Sequence, residues 1–181
     1  MFAFRLSGEL SLELLDLRHA EELFQLVDAN REHLRAWLPW VDSTRSTDDT
    51  SAFIRRTRKQ LADDNGFPTA IRQGDSLVGV IGYSAVNWAN RSTSVGYWLS
   101  KDAQGRGIMT EACRAFISHA FESMALNRVE IRCATGNRRS RAIPERLRFT
   151  EEGTVRQAEW LYDHFVDHVV YGLLASEWPP S

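Results

Sequence analysis

Apolar residues recur at helical spacing in the first third of the chain. Ala20, Leu23 and Val27 follow one another at intervals of three and four, which places them on one face of a helix that begins near residue 17. A weakly alternating segment before it, residues 10–15, predicts a strand. Two more helices are predicted over residues 31–38 and 46–63, the second with acidic residues in its first turn.

From residue 67 the pattern changes to short apolar runs separated by polar turns, which is typical of strands. Residues 67–72 and 77–86 flank a turn at 73–76 and predict a β-hairpin. The remaining strands are predicted at residues 93–99, 128–134, 149–161 and 165–174.

The most regular helical pattern, residues 108–124, lies between two of these strands, and a shorter helix is predicted at 138–147. A strand, a helix and a strand in succession predict a right-handed parallel crossover, whereas the hairpins predict antiparallel pairing. The fold class is therefore α+β, a mixed and mostly antiparallel sheet of about seven strands with a central parallel βαβ crossover and flanking helices. A doubly wound dinucleotide fold is excluded, because helices and strands do not alternate through most of the chain.

Composition adds limits to this picture. At 181 residues the chain predicts one domain, residues 1–181. A net charge of −2, from 22 basic and 24 acidic residues, argues against direct nucleic-acid binding. No apolar stretch approaches the roughly 20 residues of a transmembrane helix, so no membrane partner is expected. Cys113 and Cys133 lie in apolar segments without metal-ligand spacing, which predicts buried reduced thiols, a cytoplasmic protein and no metal.

The stretch with the clearest chemistry joins the strand at 93–99 to the helix at 108–124. Its loop contains Gly105 and Gly107, and glycines let backbone N–H groups approach a ligand closely. The N-terminus of the following helix supplies further donors and the positive end of the helix dipole. This arrangement suits a pyrophosphate, although a glycine pair also occurs in an ordinary tight turn. The loop is neither a Walker A motif nor a G-x-G-x-x-G fingerprint.

The same loop resembles the acetyl-CoA motif of the GNAT superfamily of N-acetyltransferases. Gln104-x-x-Gly107-x-Met109 matches [Gln/Arg]-x-x-Gly-x-[Gly/Ala] except at Met109. Over nearly its whole length the chain is more specifically similar to the RimL-type ribosomal-protein serine acetyltransferases. The segments that carry this likeness are A-E-E-L-F at 20–24, H-L-R-A-W-L-P-W at 33–40, G-Y-W-L at 96–99, G-I-M-T-E-A at 107–112, N-R-V-E-I at 127–131, and residues 137–140, 149–153 and 157–159.

The resemblance implies a single-domain GNAT fold, acetyl-CoA as cosubstrate and no metal. The backbone around Trp98 and Leu99 would hold the thioester carbonyl and the pantetheine, and Asn137 would bind the pantetheine arm. Ser140 matches the proposed general acid that protonates the leaving thiolate, and Glu159 matches the proposed general base that acts on the amine through a water. The pyrophosphate would bind at Gln104, Gly105, Arg106, Gly107, Ile108, Met109 and Thr110.

Each of these assignments has a structural alternative. Asn137 and Ser140 are residue types that cap helices, and a helix is predicted to begin beside them. Glu159 lies on a predicted strand, where a carboxylate also serves in a cross-strand ion pair. The arginines at 138, 139, 141, 146 and 148 form either a solvated helix face or a set of which one or two hold the 3′-phosphate of CoA.

Three further features are open in the sequence. His164 and His168 lie four apart, but this spacing on a strand does not converge on a metal, so a surface or hairpin role is expected. Trp37 and Trp40 either line the acceptor groove or pack in the core. Arg148 stands where the family has a glycine after the helix, a position that favours positive φ.

The function that the resemblance implies is acetyl-CoA-dependent N-acetylation of a primary amine by direct attack in a ternary complex. The N-terminal α-amino group of a ribosomal protein is the acceptor expected first. The alternative acceptor is a small-molecule amine, such as an antibiotic, a peptide toxin or a polyamine, because both use the same cofactor site. A non-catalytic acyl-CoA-binding domain is disfavoured by the presence of both Ser140 and Glu159. Related enzymes are often dimers, so a homodimer is also expected.

Overall fold

The central element of the structure is an eight-stranded sheet with the order β1-β2-β3-β4-β5-β6-β8-β7. The structure is a computed structural model, and it describes residues 3–179. All neighbouring strands are antiparallel except β5 and β6, which are parallel. The strands are β1 (Ala3–Arg5), β2 (Leu10–Leu14), β3 (Pro68–Gln73), β4 (Ser76–Asn87), β5 (Ser92–Leu99), β6 (Arg128–Ala134), β7 (Thr150–Leu161) and β8 (His164–Leu174).

Helices cover both faces of this sheet. On one face Leu23 and Ile54 pack against Ala70 and Val80 of the sheet, and on the other a larger core joins the sheet to two later helices. The helices are α1 (Ala20–Ala29), α2 (Arg31–Arg35) and α3 (Thr47–Ala62) on the first face, and α4 (Ile108–Ser118) and α5 (Arg138–Arg146) on the second. None of the helices within residues 3–179 has both the length and the apolar character needed to cross a bilayer.

These elements confirm the predicted fold class, a mixed α+β sheet with one parallel pair. The sheet has eight strands because a three-residue edge strand, β1, pairs with β2; it is too short to show a periodicity. The first helix begins at Ala20, because residues 17–19 form a 3₁₀ turn capped by Asp16. Helix α2 ends at Arg35, three residues earlier than predicted.

Helix α4 is amphipathic in the way its sequence predicts. Its residues Ile108, Ala112, Cys113 and Phe116 are all buried against the sheet. Burial of side chains of this size stabilises a fold by about 1.5–3 kcal/mol for each large apolar residue. The core therefore fixes the start of α4, and with it the position of the loop that precedes it.

Strands β5 and β6 separate after a short parallel contact. They pair only at Ser92–Ser94 with Arg128–Glu130. Beyond these residues β5 stays paired with β4 as far as Leu99, and β6 stays paired with β8 as far as Ala134. The facing edges of the two strands therefore carry backbone groups that do not pair with each other, and a gap opens in the middle of the sheet.

Candidate functional site

The glycine loop lies at the wide end of this gap, between β5 and α4. Gly105 and Gly107 have φ angles of 74° and 79°, in the left-handed region that favours glycine. A Cβ at either position would meet no heavy atom within 4 Å, so the requirement for glycine here is conformational rather than steric. The space beside the loop is open, and the first N–H groups of α4 have no acceptor within the helix. These features suit a bound anion.

The predicted cofactor residues of the loop divide into backbone and side-chain contributors. Ile108 and Met109 are buried in the core, 3% and 5% exposed, so only their backbone can face a ligand. The Met109 side chain points into the core and away from the open space. A large residue therefore fits at the position where the family motif has glycine or alanine. Arg106 is exposed and Thr110 is partly exposed.

Two arginines of α5 reach this loop. Arg139 donates to the Gln104 side-chain oxygen at 2.6 Å, and Arg146 lies 3.3 Å from the Thr110 hydroxyl. Arg141 instead donates to the Tyr171 hydroxyl at 2.9 Å. The arginine run is therefore not uniform, and Arg139 and Arg146 are the members positioned beside the candidate phosphate site.

The end of β5 presents different residues to the two faces of the sheet. Trp98 packs on the α1–α3 face, where its ring centroid lies 6.0 Å from that of Trp40. Tyr97 and Leu99 belong to the opposite core, under α4. The Trp98 side chain therefore lies away from the α4 loop, and what Trp98 offers on the gap side is its backbone.

Asn137 and Ser140, both of which are candidate helix caps in the sequence, have different positions. Asn137 is the N-cap of α5, and its side-chain oxygen accepts from the Ser140 N–H at 3.1 Å. The Ser140 hydroxyl lies 3.2 Å from the Cys133 sulfur and 3.5 Å from the Tyr97 hydroxyl. Capping therefore accounts for Asn137, whereas the Ser140 side chain is directed into a polar cluster at the gap.

This cluster of Ser140, Cys133 and Tyr97 is uncharged near neutral pH. Burial raises the pKa of the Tyr97 hydroxyl well above its usual value, and burial also raises the pKa of the Cys133 thiol. The Tyr97 hydroxyl donates to the Ser140 carbonyl at 3.1 Å. The protons of Tyr97 and Cys133 are therefore retained, and the Ser140 hydroxyl has neutral neighbours. Both cysteines are buried and unpaired, as predicted.

Glu159 lies on the opposite side of the sheet from this cluster. It pairs with Val166 across β7 and β8, and its carboxylate is 3.5 Å from Nε2 of His168. His168 is the β8 neighbour of Ala134, whereas Cys133, one residue earlier on β6, faces α5. Because successive side chains on a strand point to opposite faces, Ser140 and Glu159 lie on opposite faces of the sheet.

The two histidines have the surface and hairpin positions that the sequence predicts. His164 is exposed and pairs with Asp163 at 2.6 Å. The His168 side chain is only 16% exposed and forms the cross-strand pair with Glu159, whose side chain is 32% exposed. Within residues 3–179 no group of three or more histidine, cysteine or acidic side chains is arranged to hold a metal ion.

Aromatic side chains border the Glu159 face. The ring of Trp37 would come within 3.5 Å of a Cβ at Gly136, in the turn that links β6 to α5. The Tyr162 hydroxyl, at the tip of the β7–β8 hairpin, donates to the Leu38 carbonyl at 2.6 Å. Trp37 thus lies beside the gap, whereas Trp40 packs against Trp98 in the core.

Three residues at this site are not predicted from the sequence, and a fourth is predicted only as one of several candidates. Tyr97 and Cys133 contact Ser140, and His33 and Arg139 contact Gln104. Arg139 was one of five candidate arginines, and Cys133 was expected only as a buried thiol. The available signal was the alternation of β5 and β6, which places Tyr97 and Cys133 on the α4–α5 face, but the partners themselves depend on tertiary structure.

Known proteins share this architecture over almost the whole chain. The family model "Acetyltransferase (GNAT) domain" matches residues 9–150. YdaF of Bacillus subtilis (strain 168) is 38% identical, with 98% of each chain covered. The ribosomal-protein-serine acetyltransferase of Escherichia coli (strain K12) is 31% identical over 92% of this chain and 93% of its own. The solved structure of RimL, a ribosomal L7/L12 α-N-protein acetyltransferase in complex with coenzyme A, superposes with a TM-score of 0.92 at 28% identity, covering 96% of this chain and 98% of that one.

Proposed function

As a member of the GNAT acetyltransferase family, to which this chain belongs, the protein uses acetyl-CoA as its acetyl donor, and we propose that its acceptor is the N-terminal α-amino group of a ribosomal protein. The relative from Escherichia coli and the RimL structure are both named for this reaction, and the match to each covers more than nine tenths of the chain. The observation that carries the proposal is the gap between β5 and β6, with Ser140 beside it and Glu159 on the other face of the sheet.

The cofactor lies on the α4–α5 face in this proposal. The unpaired backbone of β5 around Trp98 and Leu99 binds the thioester carbonyl and the pantetheine. The side-chain oxygen of Asn137 caps α5, and its side-chain NH₂ contacts the pantetheine arm. The loop from Gln104 to Thr110 holds the pyrophosphate through backbone N–H groups. Arg139 and Arg146, which already contact this loop, supply positive charge for the phosphates.

The acceptor enters from the other face, beside Trp37 and Glu159. An α-amino group has a pKa of about 8, so near neutral pH most of it carries a proton and cannot attack. Glu159 accepts that proton through one water, and the amine nitrogen then forms a bond to the thioester carbonyl carbon. Backbone N–H groups of β5 stabilise the negative oxygen of the tetrahedral intermediate.

Collapse of this intermediate breaks the carbon–sulfur bond. The electron pair leaves on the CoA sulfur, and Ser140 donates a proton to the developing thiolate. The attacking nitrogen loses its second proton through water, and this proton restores the Ser140 hydroxyl. The neutral Tyr97 and Cys133 beside Ser140 do not compete as anions for that proton. The products are the acetylated amine and CoA with a free thiol.

The acceptor is tested by measuring CoA release with a panel of amines. The panel contains a peptide with the N-terminal sequence of a serine-starting ribosomal protein, the same peptide already acetylated at its N-terminus, and small amines that include a polyamine and an aminoglycoside. We expect turnover of the free peptide, with mass spectrometry locating the acetyl group on the α-nitrogen. A higher kcat/KM for a small amine than for the peptide would reject the proposed acceptor. Absence of CoA release with every amine would favour an acyl-CoA-binding domain.

The cellular context is a further part of the proposal. We propose that residues 1–181 form one catalytic domain that acts as a homodimer in the bacterial cytoplasm, without contacting nucleic acid directly. The bacterial setting is supported by relatives from Bacillus subtilis and Escherichia coli whose names refer to ribosomal proteins. The net charge of −2 supports the absence of direct nucleic-acid contact. Light scattering coupled to size-exclusion chromatography tests the dimer, since a monomer mass at micromolar concentration would reject it.

A further inference from the structure

The side chain of Gln104 is held from both faces of the sheet. On one side its amide nitrogen lies 2.8 Å from Nε2 of His33, a residue of α2. On the other side its oxygen accepts from Arg139 of α5 at 2.6 Å. Gln104 is the first residue of the loop assigned to the pyrophosphate, so α2 and α5 meet through this one side chain.

The chemistry of the three groups determines the protonation of His33. A guanidinium can only donate, so the Gln104 oxygen must face Arg139 and the Gln104 NH₂ must face His33. Nε2 of His33 therefore accepts and carries no proton. Burial, the largest cause, lowers the pKa of His33 below its usual value, and a contact with the Leu99 backbone only partly offsets this. His33 is thus a neutral imidazole whose Nε2 accepts from Gln104.

This bridge spans the open end of the gap. Leu99 is the last residue of β5, whose unpaired edge faces the gap. A second contact joins the same elements, because the Asn30 side-chain oxygen accepts from the Lys101 N–H at 2.8 Å. The segment that begins α2 is thereby fastened to the turn between β5 and the glycine loop.

We propose that His33 is a positioning residue of the cofactor loop, whose neutral imidazole fixes Gln104 and, through Gln104, places Arg139 beside the bound pyrophosphate. The inference rests on the acetyl-CoA site assigned above and adds to it a residue from the opposite face of the sheet. Loss of His33 leaves the Gln104 amide free to rotate, and Arg139 then loses the acceptor that orients it.

Protonation of His33 has the same consequence as its removal. The charged groups that face it are both positive, Arg139 from α5 and Lys101 from the turn after β5, and together with burial, the larger cause, they lower the pKa of His33. When His33 is protonated, Nε2 becomes a donor and repels the Gln104 NH₂. If Gln104 turns its oxygen to His33, its NH₂ faces the guanidinium of Arg139. The bridge breaks in either arrangement, so acetyl-CoA affinity falls as the pH drops.

The test is calorimetric titration of acetyl-CoA into the full-length protein and three variants. His33→Ala removes the bridge, and His33→Gln keeps one donor and one acceptor but does not titrate. His164→Gln is the matched control, because His164 is exposed at the β7–β8 hairpin. At about pH 8 we expect a roughly tenfold loss of affinity in His33→Ala, which corresponds to about one net hydrogen bond, and little loss in His33→Gln.

The pH dependence of acetyl-CoA affinity distinguishes a positioning role of His33 from a purely structural one. Titrations are compared from roughly pH 8 to pH 5, a range that contains the ordinary imidazole pKa of about 6.5. The wild type and His164→Gln should lose affinity in parallel, and His33→Gln should lose less, with only the contribution of the CoA phosphates remaining. A His33→Gln profile parallel to that of the wild type would overturn the proposal, and so would unchanged affinity in His33→Ala. If His33→Ala does not fold by circular dichroism, the His33→Gln profile decides. If the folded wild type fails to bind acetyl-CoA at all, the cofactor site itself is wrong.

Discussion

The hydroxyl of Ser140 lies 3.2 Å from the sulfur of Cys133, across the contact between α5 and β6. This relationship shows that the Ser140 side chain does not cap the helix that carries it. The cap is Asn137, whose oxygen accepts from the Ser140 N–H. Both residues are of types that cap helices, but only Asn137 does so. Substitutions at the two positions should therefore distinguish an effect on stability from an effect on catalysis.

We expect Ser140→Ala to lower kcat far more than it lowers stability. Loss of a general acid reduces rates by about 10²–10⁴-fold. No helix cap is removed, because the N–H of Ser140 still donates to Asn137. The measurement is steady-state kinetics with acetyl-CoA and the acceptor peptide, alongside thermal unfolding of the same sample.

Asn137→Ala is the matched comparison on the same helix. It removes the cap and should cost about 1 kcal/mol of unfolding free energy. If Ser140→Ala instead lost stability like Asn137→Ala and kept its turnover per folded molecule, Ser140 would be a structural residue.

Replacement of Gly107 by alanine should weaken acetyl-CoA binding. At φ 79° a side chain strains the backbone by about 1–2 kcal/mol, so the loop relaxes and its N–H groups move away from the phosphates. Loss of one hydrogen bond to a charged group corresponds to roughly tenfold or more in affinity. Calorimetry with acetyl-CoA measures this change.

Gly74→Ala is the control for backbone strain, because Gly74 has a φ of 58° in the turn between β3 and β4. Both variants should unfold more easily, but Gly74→Ala should bind acetyl-CoA as the wild type does. Equal affinities of the two variants would remove Gly107 from the cofactor site.

The order of elements was predictable because each long element carries its own periodicity. Strands β4 and β5 are examples, since the sequence places them within one residue of their observed bounds. Helix α4 begins at Ile108 as predicted but ends at Ser118, and His119–Ser123 continue as a π-helix. Strand β1 was not predictable from three residues, which are held by pairing with β2 rather than by their own pattern. The early end of α2 has a similar cause, because the chain turns after Arg35 to pack Leu38 and Trp40 on the core.

The candidate site was predictable only as far as its local motifs reach. The glycine loop could be recognised because backbone conformation depends on nearby residues. The separation of Ser140 and Glu159 onto opposite faces required the register of β6, β8 and β7, which no local pattern specifies. The bridge from His33 to Arg139 joins residues more than a hundred positions apart, so only the fold could show it.

Arg148→Gly should stabilise the protein. Arg148 follows α5 with φ 63°, and the Arg148 and Phe149 N–H groups bond back to the Glu145 and Pro144 carbonyls in a Schellman arrangement. Glycine relieves the strain of the left-handed backbone, but it also has more conformational freedom in the unfolded chain. The net gain in unfolding free energy is about 1 kcal/mol. For a chain of this size that gain raises Tm by about 2–4 °C.

Arg148→Ala is the matched control, because it removes the charge and keeps the Cβ at positive φ. Its Tm should remain near that of the wild type. If alanine and glycine stabilised equally, the effect would come from the lost charge rather than from the backbone.

Stability should fall in mild acid because of His19. This residue is 4% exposed, and its Nδ1 accepts from the Asp16 N–H at 3.0 Å, which requires an unprotonated nitrogen. Burial, followed by the charge of Arg18, lowers the pKa of His19 below its usual value. Between that lowered pKa and about 6.5 the unfolded chain binds more protons, so the unfolding free energy decreases as the pH falls through this range.

Denaturant titrations of the wild type and His19→Gln across that range measure this contribution. Glutamine keeps an acceptor for Asp16 and does not titrate, so its stability should decline less. The pKa values of His33 and His119 are also lowered, and these residues contribute with the same sign in both proteins. Parallel curves for the two proteins would show that His19 is not responsible.

The last prediction concerns Glu159 as the base. Glu159→Gln keeps the shape of the side chain and removes its basicity, so kcat should fall strongly near pH 7. The defect should shrink as the pH rises past the α-amino pKa of about 8, because the free amine becomes abundant without help. Rates of the variant and the wild type on one acceptor peptide are compared from roughly pH 6 to 9.5, a range that spans this pKa.

His168→Gln distinguishes a catalytic role of Glu159 from a role in the cross-strand pair, because it breaks the 3.5 Å contact with Glu159 and leaves the carboxylate in place. If Glu159 is the base, His168→Gln retains substantial activity at pH 7 and Glu159→Gln does not. If both variants lose only stability and show pH profiles equal to that of the wild type, Glu159 serves the ion pair alone. A rate defect that is constant at every pH would assign Glu159 to positioning the acceptor, since a missing base matters most where the amine is protonated.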